Sequence, residues 1–349
     1  MKIAVINDTH FGARNDQKEF LDYFFKFFDE VFFPYLKENE ITEVIHLGDF
    51  MDRRKFVNFN TLNQVRSRII QPLEERGITV HCVLGNHDTY YRNTNDVNSL
   101  VELFSKYDNF DVIDKPKVVD FDGLCVGLVP WITKENKTEC IEFIESCPCP
   151  IIGGHFELKG YEVIRGVKYD GGIDDELFKN YEYVMSGHFH GKQSKNNVHY
   201  LGTQYQITFA DLEEKKGFHI LNTEDRSLTF ISNPNVMFHA VNYDDTTVVD
   251  NHWKTFDFSK YEGCYVKVIV DKKTKPLLFD RFIDKLYKAG VYNLTIIEDH
   301  NDESDEEEMI DMAKDTVTLI QDEIDSLDVD KKDEIKKLIS DLYMESLSL

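Results

Sequence analysis

Apolar residues follow two rhythms along the chain. Short runs rich in Val, Ile and Leu at 2–7, 43–47 and 78–84 read as buried strands, and stretches with apolar residues at helical spacing at 17–37 and 60–76 separate them. The first of these helices carries a very wide apolar face of Phe20, Leu21, Phe24, Phe25, Phe27, Phe28, Val31 and Phe32. It is expected to pack deep against a sheet and to break near Pro34. Gly77 closes the second as a C-terminal stop. Strand and helix in alternation predict parallel βαβ units and an α/β class.

Further along, a helix is expected at 97–107, β-rich sequence at 112–130, a helix at 137–145, and mostly strands and turns at 161–200. Strands at 217–222 and 227–232 are expected to complete a second sheet. Residues 260–298 read β-α-β, with a helix at 276–288 stopped by Gly290. The acidic run 299–308 reads as a linker. The amphipathic helices expected at 309–325 and 331–346 are too short to bury their apolar faces well against each other and read as waiting for a partner. The expected organisation is therefore 1–234, 235–298, a linker at 299–308, and helices in 309–349.

Polar islands stand just past the strand ends, where open α/β sheets bind ligands. They are Asp8-x-His10, Gly48-Asp49-x-x-Asp52, Gly85-Asn86-His87-Asp88, Gly154-His155 and Gly187-His188-x-His190. Side chains at i and i+2, such as His188 and His190, converge on one point only from a strand end or the turn after it. The islands supply carboxylates, an amide oxygen and imidazoles in excess of what one open metal site needs. A donor set of oxygen and nitrogen without thiolate suits Mn²⁺, Fe or Zn²⁺ better than Ca²⁺ or Mg²⁺. Two such ions about 3.5–4 Å apart form the clamp used for in-line displacement at phosphorus.

Composition narrows the setting. The 349 residues carry a net charge of −24, and half of it falls in 301–349, where 17 acidic residues face 5 lysines. An acidic chain grips a phosphate backbone poorly unless metals or a basic partner supply positive charge. No run is long and apolar enough for a membrane span, and the N-terminus enters a strand without a signal-peptide pattern, so the expected location is the cytoplasm, or the host cytoplasm for a phage protein. The 6 cysteines include no C-x-x-C pair and read as reduced thiols.

The five islands, in this order, resemble the calcineurin-like metallophosphoesterases over about residues 1–232. That resemblance implies a two-sheet α/β sandwich. It also implies one metal held by Asp8, His10, Asp49 and His190, and another held by Asp49, Asn86, His155 and His188, with Asp49 bridging. His87 would face the scissile phosphate and Asp52 would orient it. The segments 83–88, 114–116, 119–123 and 186–190 resemble more narrowly the nuclease subunits of double-strand-break repair nuclease–ATPase complexes, the SbcD-like branch, and most of all its phage members.

The branch implies a DNA-capping α+β domain at 235–298, a C-terminal helical pair that docks on the coiled coil of an ATPase subunit through 309–349, a homodimer, and Mn²⁺-dependent 3′→5′ exonuclease and single-strand endonuclease activity. Arg14, Arg53, Arg54, Lys55 and Arg92, beside the islands, are the candidate DNA contacts. Two departures stand out: Asp52 occupies a position where cellular members often carry histidine, and Gln204-Tyr205 replaces an expected Pro-aromatic pair. The rival readings are a small-molecule phosphodiesterase or phosphatase of the same fold and a non-catalytic scaffold.

Overall fold

The computed structural model describes residues 1–246 and 256–298, together with positions 332 and 335. The linker expected at 299–308 and the helix expected at 309–325 lie outside the described residues, as does the helix expected at 331–346 apart from those two helical positions.

In chain order the strands are β1 (Lys2–Ile6), β2 (Glu43–His46), β3 (Thr79–Val83), β4 (Phe110–Ile113), β5 (Lys117–Phe121), β6 (Leu124–Val129) and β7 (Ile151–Gly154). A small hairpin comes next, β8 (Glu162–Ile164) and β9 (Val167–Lys168), and then β10 (Tyr183–Ser186), β11 (Gln193–Lys195) and β12 (Val198–Tyr200). The last are β13 (Gly217–Asn222), β14 (Leu228–Ser232), β15 (Phe238–Asp244), β16 (Tyr265–Lys272) and β17 (Asn293–Ile297). They form two six-stranded mixed sheets, ordered β14-β13-β1-β2-β3-β4 and β11-β12-β10-β7-β6-β5, and a third sheet β15-β16-β17. The expectation that 217–222 and 227–232 belong to a second sheet is corrected here: β13 pairs antiparallel with β1 and extends the first sheet. Period-2 patterning marks a strand but does not name its neighbour, and pairing across more than two hundred residues is a tertiary decision.

Alternation within β1 shows how the layers form. Ile3 and Val5 point into the core between the two large sheets, with Ile45, Leu47, Val83, Leu128 and Met185. Ala4 and Ile6 point the other way, onto a helix layer rich in phenylalanine that includes Phe20, Phe24, Phe25, Phe27 and Phe28. The helix Lys137–Ser146 covers the far face of the second sheet through Cys140 and Ile144. The result is a two-sheet sandwich with helices outside.

The expected break near Pro34 does not occur. Helix Lys18–Phe27 passes through a π-helical turn, Phe28–Phe32, into helix Phe33–Glu38 with Pro34 in its first turn. The same device recurs where helix Phe59–Val65 runs through the π-helical turn Arg66–Ile70 into Gln71–Glu75, which holds Pro72. A proline ring clashes with the carbonyl four residues back and donates no hydrogen bond, and a widened turn before it relieves both problems without ending the helix.

In the third sheet all pairings are parallel, and helix Pro276–Lys288 makes the crossover from β16 to β17. Tyr243, Val266, Val268, Phe279, Phe282 and Leu286 give this sheet its own core. No helix among the described residues is long and apolar enough to cross a membrane.

Phe24 lies against Tyr205 with ring centroids 4.0 Å apart and an interplanar angle of 11°. Phe24→Ala is expected to lower unfolding stability by about 3–5 kcal/mol, read from the urea midpoint.

Candidate metal centre

Five strands end at one place. The parallel strands β1, β2 and β3 deliver Asp8 and His10, Asp49, and Asn86 and His87, while β7 and β10 of the facing sheet deliver His155, and His188 and His190. Asp8, His10, Asp49 and His188 all adopt positive φ, of 50°, 42°, 55° and 89°. Such conformations cost of order 1 kcal/mol or more each and persist only where the surroundings over-determine them. Here the backbones of the first two loops are laced together: Asp8 N donates to Gly48 O (2.9 Å), His10 N to Asp49 O (3.0 Å) and Phe11 N to Phe50 O (3.0 Å). A Cβ at Gly48 would stand 2.4 Å from His155 Nδ1, and one at Gly85 would stand 2.1 Å from Asp49 Oδ1, so these glycines are needed for the loops to approach.

The donor atoms form three overlapping groups, Asp8–His10–His190, His10–Asp49–His87 and Asp49–His155–His188, each with its atoms within 4.8 Å of one another. Asn86 Oδ1 adds an amide oxygen 3.0 Å from His155 Nε2 and 3.1 Å from His188 Nδ1. All seven candidate ligands are thus brought together, and Asp49 lies between the two halves.

The electrostatics fit cations. Burial pushes the Asp8 carboxyl up. Burial acts the same way on Asp49, but His155, His87 and His10 hold it well below the usual carboxylate range. Burial also opposes charge on His10 and His155, yet Asp52, Asp49 and Asp8 raise His10 to about 9, and Asp49 and Asp8 raise His155 to about 9. These carboxylates draw protons onto the imidazoles, at positions where a divalent cation would satisfy the same oxygens. His10 Nε2 and His190 Nε2 face each other at 3.1 Å, close enough for both rings to serve one cation once His10 gives up its proton, and His10 Nδ1 lies 3.2 Å from Asp52 Oδ1.

Asp52 meets His87 through its main chain rather than through its carboxylate oxygens. Its main-chain carbonyl meets His87 Nδ1 at 2.5 Å, while the carboxylate reaches His10. The spacing of the motif does not show which atoms of Asp52 meet which histidine. His87 N donates to Asp49 Oδ1 at 2.7 Å, and burial lowers the imidazole's pKa.

Several site residues escaped the sequence reading. Asp88 is buried and accepts from the backbone N–H of Gly85, Phe50 and Met51, so it ties the second ligand loop to the third; burial and the neighbouring Asp49 raise it to about 7. Glu157 stands 3.5 Å from His188 Nε2, on the ring edge opposite the nitrogen that faces Asn86. It comes after His155 at the same i, i+2 spacing that singled out the other histidine pair, which is the signal that could have found it. Trp131 flanks the histidines, 5.8 Å from His155 and 5.2 Å from His188 between ring centroids. The unexpected Gln204-Tyr205 pair has a role too: Gln204 Nε2 donates to Asp8 O (3.3 Å) and Tyr205 OH to Thr9 O (2.6 Å), which secures the strained first loop.

The basic candidates divide. Arg53 pairs with Asp16, and Arg14 Nε donates to Ile207 O at 3.4 Å, so both brace the turn after His10. Lys55 and Arg92 are exposed beside the exposed Tyr90 and Tyr91, with the Lys55 ammonium 5.5 Å from the Tyr90 ring. Arg54, next to Lys55 in sequence, is half-buried.

Residues 1–192 match the family model described as calcineurin-like phosphoesterase. The chain belongs to the calcineurin-like phosphoesterase family. It is a metal-dependent phosphodiester hydrolase. This phosphoesterase is 32% identical to exonuclease subunit 1 of Enterobacteria phage T4 over 94% of its own length and 93% of that protein's. It is 23% identical to the SbcD component of the SbcCD nuclease of Staphylococcus epidermidis over 65% of its length and 67% of the relative's. A solved archaeal phosphodiesterase aligns with 67% of the chain and 100% of its own at 15% identity, with a TM-score of 0.32. The family fold uses divalent metals, and the donor set of this phosphoesterase accommodates them.

Residues that orient metal-bound histidines usually contribute 10- to 100-fold to metal affinity. Glu157→Ala is therefore expected to weaken binding of a divalent metal by about 10- to 100-fold, read by isothermal titration calorimetry.

Proposed function

We propose that this phosphoesterase is the nuclease subunit of a DNA-processing nuclease–ATPase pair, with Mn²⁺-dependent 3′→5′ exonuclease activity on duplex DNA and endonuclease activity on single strands. The observation that carries the reading is the extent of the likeness to the phage exonuclease subunit. It spans 94% of the chain, whereas the phosphoesterase model ends at residue 192, so it takes in the third sheet and most of the sequence beyond it. A small-molecule phosphodiesterase has no need of those parts.

In this reading Asp8, His10, Asp49 and His190 hold one metal, and Asp49, Asn86, His155 and His188 hold the other. When bound, the ions would supply Lewis-acid activation of a water and positive charge facing the phosphoryl oxygens. The chain's own residues do the rest. Asp49 serves both halves, and its imidazole neighbours keep it ionised despite its burial. His87, gripped at its Nδ1 by the Asp52 carbonyl, presents Nε2 to the substrate, where it stabilises the transition state or protonates the leaving oxygen. Asp52 keeps His10 oriented through its carboxylate.

Lys55, Arg54 and Arg92 contact DNA phosphates beside the centre, with Tyr90 and Tyr91 among them. Arg14 and Arg53 act at one remove, by holding the turn 12–16. Residues 235–298 form a DNA-capping unit, and 309–349 dock on the coiled coil of the ATPase subunit, which supplies the positive charge that an acidic chain lacks. The working assembly contains two copies of the chain.

The test is the full chain with Mn²⁺ on end-labelled linear duplex and circular single-stranded DNA, beside His87→Ala. The wild type is expected to cut both, and the variant to lose about 10²–10⁴-fold in rate while still binding metal. Turnover of a small phosphodiester with neither DNA cut by folded, metal-loaded protein would overturn the nuclease reading. A second measurement removes residues 309–349: co-purification with the ATPase subunit should be lost while cleavage of single strands by the isolated chain persists.

A further inference from the structure

Beyond the family-model region lies a buried ammonium that the chemistry described above does not use. Lys216, just before β13, is only 4% exposed. Its Nζ pairs with Asp211 at 2.5 Å and Glu214 at 2.8 Å and donates a third bond to the main-chain oxygen of His190 at 3.0 Å. Burying a cation costs several kcal/mol unless it is paired and hydrogen-bonded, and here the carboxylates of Asp211 and Glu214 meet that need. The third bond goes to the backbone of a candidate metal ligand.

His190 depends on that backbone for its placement. Its ring contacts within the centre are with His10, and its carbonyl is held twice, by Lys216 and by Thr203 N at 3.1 Å. It sits two residues after His188, whose φ of 89° marks a strained turn. Releasing the carbonyl would free the end of the turn at His190 and carry its imidazole away from His10, while His188 keeps its own partners, Asp8 on its N–H and Asn86 and Glu157 on its ring.

The anchor of Lys216 is itself anchored. Asp211 Oδ2 accepts from Ile207 N (2.8 Å) and Thr208 N (3.0 Å), and Asp211 O accepts from Gln206 Nε2 (3.1 Å). Gln206 Oε1 accepts in turn from Met237 N (2.9 Å) and Phe238 N (3.0 Å), where β15 begins. Gln206, Asp211, Met237 and Phe238 are all buried. A continuous buried polar path therefore runs from the first strand of the third sheet to one side of the metal centre. On the other side, His155 is held by Leu47 O and His188 faces Glu157.

We propose that Lys216 is a positioning residue for the half of the metal centre formed by Asp8, His10, Asp49 and His190, and that Gln206 and Asp211 couple its position to the seating of β15. This rests on the two-metal reading above. Lys216 affects the two ions unequally: the His190 side loosens when it is removed and the His155 side does not.

The test is Mn²⁺ titration of the full chain, by calorimetry and by the electron paramagnetic resonance signal of free Mn²⁺. The wild type is expected to bind two ions. Lys216→Met should keep one affinity and lower the other by about 10- to 100-fold, the range for residues that orient a metal ligand. Glu214→Gln, which leaves the bond to His190 in place, should bind both ions as the wild type does. If Lys216→Met does not fold, the double variant Lys216→Met/Asp211→Asn removes the orphaned carboxylate and is expected to show the same unequal loss. Equal weakening of both sites, no weakening of either, or the same loss in Glu214→Gln would overturn the role of Lys216. Gln206→Met should shift the same site in the same direction, and no shift there would overturn the link to β15. A wild type that takes up fewer than two ions would overturn the two-metal reading itself, and because that failure shows in the unmutated chain it is distinct from failure of the Lys216 proposal.

Discussion

The buried carboxylate of Asp49 is the constraint on which the rest of the site depends. An ionised carboxylate inside a protein is costly unless charges and hydrogen bonds answer it. Here the answer comes from imidazoles on separate loops and from the backbone N–H of His87. Those groups reach one point only because parallel strands of two facing sheets end at the same level. The sandwich core of Ile3, Val5, Ile45, Leu47 and their partners therefore sets the spacing of the site as well as stability.

Strain at the ligand loops is met by restraint from behind. Thr9 lies between two positive-φ candidate ligands; its hydroxyl donates to Phe50 O at 3.0 Å and its carbonyl accepts from Tyr205. Tyr205 is in turn stacked on the phenylalanine layer of the first long helix. A helix that would end at Pro34 would shorten that layer, and the π-helical turn preserves it. The packing of a remote apolar face and the geometry of a polar site are in this way one problem.

Charge is distributed unevenly between the site and its rim. The centre concentrates carboxylates and imidazoles in a buried space, while lysine, arginine and tyrosine collect on the two loops that leave it after Asp49 and His87. Under the proposed reading the metals reverse the sign of the field at the centre, and the rim engages the substrate's phosphates. Under the same reading the chain's net charge of −24 leaves the grip on a phosphate backbone to a cationic partner.

The chain alone determined the class of chemistry. Asp8-x-His10, Gly48-Asp49, Gly85-Asn86-His87, Gly154-His155 and Gly187-His188-x-His190 are local motifs, each readable because donor residues, most of them beside glycine, stand just past an apolar strand. Strand and helix alternation was legible for the same reason, since burial periodicity is written within a few residues. What only the tertiary structure decided is everything that depends on who stands opposite whom. β13 joined the first sheet, the Asp52 carboxylate turned to His10, Glu157 came to face His188, and Asp88 and Tyr205 came to hold the backbone of the loops that carry the candidate ligands. Lys216 reached back 26 residues to the carbonyl of His190. These are contacts between segments far apart in sequence, and their side-chain directions are set by packing, which no local pattern of residue types encodes.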